Sequence, residues 1–337
     1  MSKLDNLIGQ ATAIAHPNLA IIKYWGKENE LKNIPASPSL GIALNELHTV
    51  TKVYLKHPSS NSEETDKVFI DEKLQSDRRF ANFFANLREL VDKRNPKMGK
   101  FIITACSSSD FPSSAGLASS ASGFAALALA CTSALKFELP AKQLSALART
   151  GSASAARSTF GGFVRLDSGA IYANQIYDEN WWPELRIIVV EIEKEAKELS
   201  SRAAMERVKM NSPFYQAWIS DSKKNIDKSL AALEAKNLSA LGPLIRRSYL
   251  RMFSTMFSSY PPIIYWKPAS LAVIILCEKL RSAGLNIWET MDAGPQVKIL
   301  CLEKEVPLLI EHLKTQFSHL PFWICKVGGP PYLSNND

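Results

Sequence analysis

A serine- and glycine-rich segment, residues 107–123 (SSSDFPSSAGLASSASG), could bind an anion. It follows a predicted strand and opens an alanine-rich predicted helix, residues 124–135. Gly116 permits the positive φ that turns backbone N–H groups inward, and Ser119 and Ser120 add hydroxyls beside a helix N-terminus, where phosphate oxygens bind well. The segment predicts a phosphate site, although it is not a Walker loop, because no Gly-Lys-Ser/Thr follows the glycine.

Composition alone also allows a plainer interpretation of the same segment. Serine, alanine and glycine let a buried helix pack closely, and serine caps helix N-termini. Gly123 is then tolerated inside the helix for close approach. The residues by themselves leave both interpretations open.

Three cationic side chains stand in settings that suit a polyanionic ligand. Lys23 and Lys27 are four residues apart, with Tyr24 between them, at the predicted end of a strand. Arg157 lies among small residues in GSASAARSTFGG, residues 151–162, and a guanidinium can clamp a carboxylate with two parallel hydrogen bonds. Taken alone, however, two lysines are typical of a solvated surface pair, and an arginine can cap a helix or pair with an aspartate.

One carboxylate, Asp292, stands in the segment MDAGP, residues 291–295, which joins two predicted strands. Asp-Ala-Gly-Pro is also ordinary β-turn chemistry. Without further information, the turn is sufficient to explain these residues.

The elements that position these segments mix strands and helices irregularly, which favours an α+β fold over a doubly wound sheet. The loop-like segment YDENWWP, residues 177–183, precedes a predicted strand and predicts a boundary between two domains, residues 1–183 and 184–337. The first sixty residues are predicted to be rich in β-structure, over residues 11–23 and 40–56, and a strand-like segment ends near Ile176. Further strands are predicted at residues 101–106, 185–192, 286–291, 297–302 and 322–327. Helices are predicted at residues 78–95, 124–135, 212–236, 238–258, 268–283 and 306–317.

Composition excludes several classes of protein. Of the 337 residues, 46% are apolar and 22% are charged, which excludes a disordered chain, and the net charge of +7 permits an anionic partner without requiring a nucleic acid. Five scattered cysteines without a C-x-x-C pair predict neither a disulfide framework nor a zinc site, but a reducing compartment. With no signal-peptide pattern and no apolar run of membrane-spanning length, the sequence predicts a cytoplasmic protein without a membrane partner.

Several segments resemble known families. The order P-x-x-x-G-L-x-S-S, beginning at Pro112, resembles the nucleotide loop of the GHMP kinases. HPNLAIIKYWGK, residues 16–27, resembles the signature of the mevalonate diphosphate decarboxylases, a branch of that superfamily. The segments around Arg157 and Asp292 resemble the same branch, as do ELSSRAAM, residues 198–205, and VGGPP, residues 327–331. The resemblance implies a two-part GHMP-kinase-like fold with an active-site cleft between the N-terminal and C-terminal halves.

The resemblance also implies a reaction of isoprenoid biosynthesis. ATP phosphorylates the tertiary 3-hydroxyl of mevalonate 5-diphosphate, and loss of phosphate and CO2 then gives isopentenyl diphosphate. Phosphorylation is needed because a tertiary hydroxyl is a poor leaving group. The implied cofactors and partners are ATP as co-substrate, Mg²⁺, a small polyanionic substrate and a second copy of the chain in a homodimer.

Residue roles follow from the matched segments. The resemblance assigns Asp292 to the hydroxyl proton, Lys23 to the transferred phosphoryl group, Arg157 to the C1 carboxylate and Asn18 to the orientation of Arg157. Candidates for the diphosphate are Tyr24, Lys27, Ser152, Ser154, Ser201 and Arg202. Candidates for the nucleotide are Ser107, Ser108, Ser114, Gly116, Ala118, Ser119 and Ser120. Candidate Mg²⁺ ligands are Ser120 and Asp292.

Four departures from the family pattern leave nucleotide preference, kinetics and substrate length open. They are Ser37-Pro38-Ser39 for Asn-Ser-Ser, Ser109-Asp110 for paired asparagines, Phe253 for histidine and Gln296 for asparagine.

The alternatives are a decarboxylase of mevalonate 5-phosphate, a mevalonate 3-kinase, and a non-catalytic nucleotide- or RNA-binding relative. Dispersed basic residues and the lack of an RNA-recognition aromatic motif argue against an RNA-binding protein.

Overall fold

The computed structural model describes residues 7–59, 64–111, 119–195 and 198–334. The strands are β1 (Leu7–Ala15), β2 (Asn18–Ile22), β3 (Lys27–Asn29), β4 (Ile34–Pro35), β5 (Ser39–Ala43), β6 (Thr49–Lys56), β7 (Lys67–Ile70), β8 (Lys73–Leu74), β9 (Ile102–Ser109), β10 (Phe163–Leu166), β11 (Asn174–Tyr177), β12 (Leu185–Val190), β13 (Trp288–Met291), β14 (Val297–Leu302), β15 (Phe322–Cys325) and β16 (Tyr332–Leu333). The α-helices are α1 (Arg78–Arg94), α2 (Ser119–Ala134), α3 (Ala141–Gly151), α4 (Ala155–Ser158), α5 (Ser201–Asn211), α6 (Tyr215–Glu234), α7 (Leu238–Phe257), α8 (Pro268–Ser282) and α9 (Val306–Gln316).

A six-stranded sheet with the order β16-β1-β6-β9-β7-β8 supports the first half of the chain. Buried and more exposed residues alternate along β6, which is typical of a sheet with one face against a core. Helices α1 and α2 cover that face, where Leu87 and Leu127 share a core with Val53. The Asp77 side chain accepts a hydrogen bond from the backbone N of Arg79, 2.8 Å away, and so caps α1 beside the site described below.

Two four-stranded sheets contribute side chains to one shared core. One has the order β11-β10-β5-β2 and the other has the order β13-β14-β12-β15. Leu19 of β2 and Ile42 of β5 share this core with Ile245 of α7 and Leu300 of β14. Because β2, β5 and β12 are buried along their whole length, they are covered on both faces. This packing brings the end of β2 close to the turn between β13 and β14.

The α+β fold predicted from the sequence is observed, and most of the predicted helices and later strands lie within a few residues of their predicted bounds. The β-rich stretches, residues 11–23 and 40–56, each contain two strands. The serines after Cys106 differ from the prediction, because β9 continues through Ser109 instead of turning. Hydroxyl pairs across the sheet, Thr51 with Ser107 and Thr49 with Ser109, both at 2.9 Å, stabilise this extension. The prediction also missed three helices: α3, α4 and α5.

The last residues of the chain return to the first half. Strand β16 pairs antiparallel with β1, and Val327 forms an isolated bridge with Leu44.

The predicted domain boundary at residue 183 stays a prediction. Within residues 7–59, 64–111, 119–195 and 198–334, no helix is long and apolar enough to cross a membrane.

Candidate active site

The end of strand β2 delivers a buried lysine to the site. The side chain of Lys23 is 1% exposed, and its Nζ lies 2.7 Å from Oδ1 of Asp292 while it also donates to the backbone oxygen of Ala20. The backbone N of Lys23 donates to Oγ of Ser248 in α7, at 2.9 Å. Burial lowers the pKa of Lys23 to about 8, although Asp292 opposes this effect. Lys23 is therefore a cation that is fixed in position and loses its proton more readily than an exposed lysine.

Asp292 lies in the turn between β13 and β14, between two ammonium groups. Its Oδ1 contacts Lys23, and its Oδ2 lies 3.2 Å from Nζ of Lys298 in β14. Burial alone would raise the pKa of Asp292, but Lys23 and Lys298 together lower it to about 2. The carboxylate is therefore ionised throughout the neutral range, with 23% of its side chain still exposed toward the cavity.

Arg157 of α4 is held rigidly by two neutral partners. Its Nε donates to Oδ1 of Asn18 at 2.9 Å, and its Nη1 donates to Oγ of Ser39 at 2.7 Å. Asn18 is itself fixed by a 2.7 Å hydrogen bond to Oγ of Ser158. Burial lowers the pKa of Arg157 to about 10, so the guanidinium stays charged at neutral pH. Because Asn18 and Ser39 are both neutral, the charge of Arg157 remains available to an anionic ligand.

Gly41 in β5 makes room for this arginine. A Cβ built on Gly41 would lie 2.7 Å from Nε of Arg157 and 3.1 Å from Oδ1 of Asn18. Any side chain here would push the guanidinium out of position, because real Cβ contacts are longer than this.

A second group of cations lies near the start of α1 and α5. Lys27 pairs with Glu30 at 3.1 Å, and Arg79 pairs with Asp77 at 2.7 Å. Nη2 of Arg202 donates to Oδ1 of Asn33 at 3.0 Å, so this guanidinium is also held by a neutral amide. Burial and the neighbouring Arg202 both lower the pKa of Lys27, against the effect of Glu30.

Several hydroxyl groups line the same cavity as these cations. Oγ of Ser152 lies 3.1 Å from Oγ of Ser154 and 3.5 Å from Oγ of Ser120 in α2. In the described part of the chain, the hydroxyl of Tyr24 is buried without a hydrogen-bond partner, and burial raises its pKa. Tyr24 and these serines can therefore donate hydrogen bonds to phosphate oxygens.

One cavity of about 480 Å³ connects all of these groups. Its lining includes Asn18, Lys23, Tyr24, Lys27, Arg79, Ser119, Ser120, Ser152, Ser154, Arg157, Ser201, Arg202 and Asp292. A second cavity, of about 340 Å³, is lined by apolar side chains of α1, α2 and β7 and by hydroxyls of β6 and β9. Arg79, Ser119 and Ser120 line both cavities, so a ligand could extend from one into the other.

Family models match most of the chain. A model of the diphosphomevalonate decarboxylase-like N-terminal domain matches residues 15–176, and one of the mevalonate 5-diphosphate decarboxylase C-terminal domain matches residues 187–329. The diphosphomevalonate decarboxylase of Candida albicans is 30% identical over 329 residues, covering 93% of this chain and 90% of that protein. This chain belongs to the diphosphomevalonate decarboxylase family.

Solved structures of the diphosphomevalonate decarboxylase family have the same fold. A structure of the Enterococcus faecalis enzyme, which addresses ATP binding mediated by mevalonate diphosphate, is 35% identical with a TM-score of 0.84, covering 97% of this chain and 99% of that one. A complex of a protein designated MDDEF with MVAPP, the ATP analogue AMPPCP and magnesium has a TM-score of 0.87 at 35% identity and the same coverage. The predicted family and two-part α+β fold are confirmed.

Among the predicted nucleotide residues, the structure separates two neighbours on β9. Ser107 lines the second cavity, whereas Ser108 is exposed on the opposite face of the strand and contributes to neither cavity lining in the described residues. Ser114, Gly116 and Ala118 lie outside the described residues. Ser119 and Ser120 belong to α2 itself, because this helix begins before the predicted start at residue 124.

Ser201 and Arg202, expected in a loop by family resemblance, form the first turn of α5. Ser200 caps this helix by accepting a hydrogen bond from the backbone N of Ala203 at 3.2 Å. A serine directly before a helical pattern is a common N-cap, so Ser200 could have predicted the start of α5 at Ser201.

Sequence reasoning missed three charged residues of the cavity lining or of the cluster around Asp292: Asp77, Arg79 and Lys298. The first two follow from the N-cap of α1, where an aspartate before a helical pattern is a recognisable start. Lys298 interrupts a strand whose other residues are apolar, VKILCL, which is the signal of a charged side chain buried for a reason.

The departures from the family pattern take part in hydrogen bonds or packing within the fold. Ser39 accepts the hydrogen bond from Arg157, and Ser37 accepts one from the backbone N of Trp25 at 3.0 Å. Asp110 accepts a 2.7 Å bond from the backbone N of His48. Phe253 of α7 is fully buried in a core that includes residues of α5 and α8. The Gln296 amide accepts from the backbone N of Ile192 and donates to the backbone O of Glu193, on the segment that leads to α5.

Proposed function

We propose that this chain catalyses the ATP-dependent decarboxylation of mevalonate 5-diphosphate to isopentenyl diphosphate. The observation that carries the proposal is one cavity lined by a buried Lys23–Asp292 pair, a buried Arg157 and a second group of cations. The MDDEF complex with MVAPP, AMPPCP and magnesium supports the same assignment of substrates.

Asp292 orients the 3-hydroxyl of the substrate for attack on the terminal phosphorus of ATP. With a pKa of about 2, it is a weak base in the ground state. Phosphoryl transfer passes through a loose transition state that needs little base, so the hydroxyl gives up its proton only as the new O–P bond forms. Lys23, beside Asp292, stabilises the negative charge on the transferred group.

The second stage requires that the carboxylate be held in place while phosphate departs. When the C3–O bond breaks, phosphate leaves with the bonding pair, the C1–C2 pair forms the C2=C3 double bond, and CO2 is released. Nε of Arg157 is taken by Asn18, and Ser39 takes one hydrogen of Nη1. The C1 carboxylate is therefore met end-on by Nη2 and the remaining Nη1 hydrogen, since arginine has five N–H donors.

The second cation group favours a diphosphate over a monophosphate at C5. Lys27, Arg79 and Arg202 face two carboxylates, Glu30 and Asp77, so positive charge remains for the ligand. The Tyr24, Ser152, Ser154 and Ser201 hydroxyls add donors along the same cavity.

The second cavity accommodates the nucleoside of ATP, with Ser107 on its wall and Ser119 and Ser120 toward the phosphates. A bound Mg²⁺ ion would supply positive charge to the phosphate oxygens of ATP. The hydroxyl of Ser120, at the junction of the two cavities, fits a ligand of that ion. Asp292 fits less well, because the ammonium groups of Lys23 and Lys298 beside its two oxygens repel a further cation.

The homodimeric state and cytoplasmic location implied by resemblance and sequence are part of the proposal. Light scattering of the purified chain and fractionation of cells that express it test the two statements.

The deciding experiment supplies ATP, Mg²⁺ and mevalonate carrying no, one or two phosphates, and measures ADP and CO2 separately. The proposal predicts equal ADP and CO2, mainly from the diphosphate. ADP without CO2 would identify a 3-kinase, CO2 mainly from the monophosphate would identify the monophosphate decarboxylase, and neither product would refute catalysis.

A further inference from the structure

Lys298 is a buried lysine in the middle of the third sheet. It lies in β14 between Val297 and Ile299, which are fully buried, and it is itself 2% exposed. In the sheet it pairs with Thr290 of β13 and Val189 of β12. Burial of an ammonium group is unfavourable unless an anionic or hydrogen-bonding group compensates for the loss of water. The position of Lys298 therefore requires such a partner.

Lys298 forms an ion pair with the carboxylate of Asp292, which already has a closer cation. Nζ of Lys23 lies 2.7 Å from Oδ1, and Nζ of Lys298 lies 3.2 Å from Oδ2. Lys23 alone would neutralise the carboxylate, and Arg157 adds a further positive charge nearby. The second lysine is therefore not needed for charge balance, but it does fix the remaining oxygen of the carboxylate.

The two lysines approach Asp292 from different elements. Lys23 follows β2, whereas Lys298 extends from the level of Thr290 along the β13–β14 hairpin to the turn. With one cation on each oxygen, rotation of the carboxylate about its Cβ–Cγ bond would break at least one ion pair. The two lysines therefore fix the plane of the carboxylate before any ligand binds.

We propose that Lys298 is a positioning residue that fixes the orientation of the Asp292 carboxylate toward the hydroxyl to be phosphorylated. The inference rests on the proposed function. It assigns to β14 a part in the first chemical step, although Lys298 need not touch the substrate. In its absence, Asp292 would remain paired with Lys23 but would rotate away from the hydroxyl.

The test compares K298M, K298Q and K298R with the wild-type chain by steady-state kinetics. We expect K298M to lower kcat about 100-fold, since misplacement of a reacting group by about 1 Å costs roughly that factor. KM for ATP should stay within a few-fold. K298R retains a cation, and K298Q retains a donor of a hydrogen bond to Oδ2, so both should recover part of kcat, with K298R recovering more.

A matched control removes a buried cation elsewhere in the same sheet. Arg186 of β12 is 7% exposed and pairs with Glu303 at 2.8 Å. R186M should lower the melting temperature and leave kcat unchanged, which separates loss of a buried cation from loss of positioning.

The outcomes distinguish this inference from the proposed function. An inactive wild-type chain refutes the proposed function. An active wild-type chain with wild-type kcat in K298M, or with no recovery in K298R and K298Q when both are folded, refutes the positioning role. If K298M does not fold, K298Q decides: a folded K298Q with wild-type kcat overturns the inference whatever its KM, and a reduced kcat supports it.

Discussion

The buried Lys23 predicts a loss of activity at alkaline pH. Its pKa is lowered from an ordinary 10.5 to about 8, because burial disfavours the charged form more than Asp292 favours it. The charged groups around it are Asp292, Lys298 and Arg157. Since the protonated lysine is the active form, kcat/KM should halve near pH 8 and fall about tenfold for each further unit.

The pH at which activity falls should differ between the free enzyme and its complex with substrates. Bound phosphates favour the ammonium form, so the alkaline limb of kcat should lie at higher pH than that of kcat/KM. Substrate phosphates titrate near pH 6 and do not interfere above pH 7.5. Arg157, with a pKa of about 10, sets the upper pH limit of the experiment, because its own charge is lost above that pH.

The assay measures ADP and CO2 from pH 6.5 to pH 9.5 at constant ionic strength. K23R is the control, because arginine stays protonated throughout, so its lower activity should show no limb near pH 8. A wild-type kcat/KM that is flat up to pH 9.5, or a K23R variant with the same limb as wild type, would refute the role of Lys23.

Three further variants test other parts of the cavity. N18A removes the partner of Nε in Arg157 and should lower kcat/KM about 10- to 100-fold, since a hydrogen bond to a charged group contributes about 1.5–3 kcal/mol; wild-type kinetics would contradict this. G41A should produce a similar loss, because its Cβ would lie 2.7 Å from the same nitrogen, and a crystal structure with Arg157 unmoved would contradict that reason. R202M should raise KM for the diphosphate about tenfold or more by the same arithmetic while KM for ATP changes little; equal effects on both substrates would exclude Arg202 from diphosphate binding.

Much of the candidate site was predictable because its chemistry is concentrated in short segments. Lys23, Arg157 and Asp292 each lie in a motif that can be recognised locally, and the structure brings all three to one cavity. The contact between Asn18 and Arg157 joins residues 139 positions apart, yet both ends were marked by their own segments. Their catalytic roles stay predictions until variants are measured.

The remaining residues depend on geometry that a linear pattern does not contain. Lys298 reaches Asp292 only because the hairpin register places it opposite Thr290. Ser108 turns away from the nucleotide cavity because β9 continues past Cys106, which reverses its side relative to Ser107. Register and strand length are set by cross-strand pairing, which a single sequence specifies weakly.

The measurement that tests the central claim most directly is the turnover of D292N with ATP, Mg²⁺ and mevalonate 5-diphosphate. The amide keeps the shape of the side chain but removes the charge that holds the hydroxyl and the two lysines. D227N, at an aspartate whose side chain is 76% exposed, is the matched control. The account predicts that D292N loses several orders of magnitude in both ADP and CO2 formation while ATP still binds and D227N stays active; near-normal turnover of D292N would contradict it.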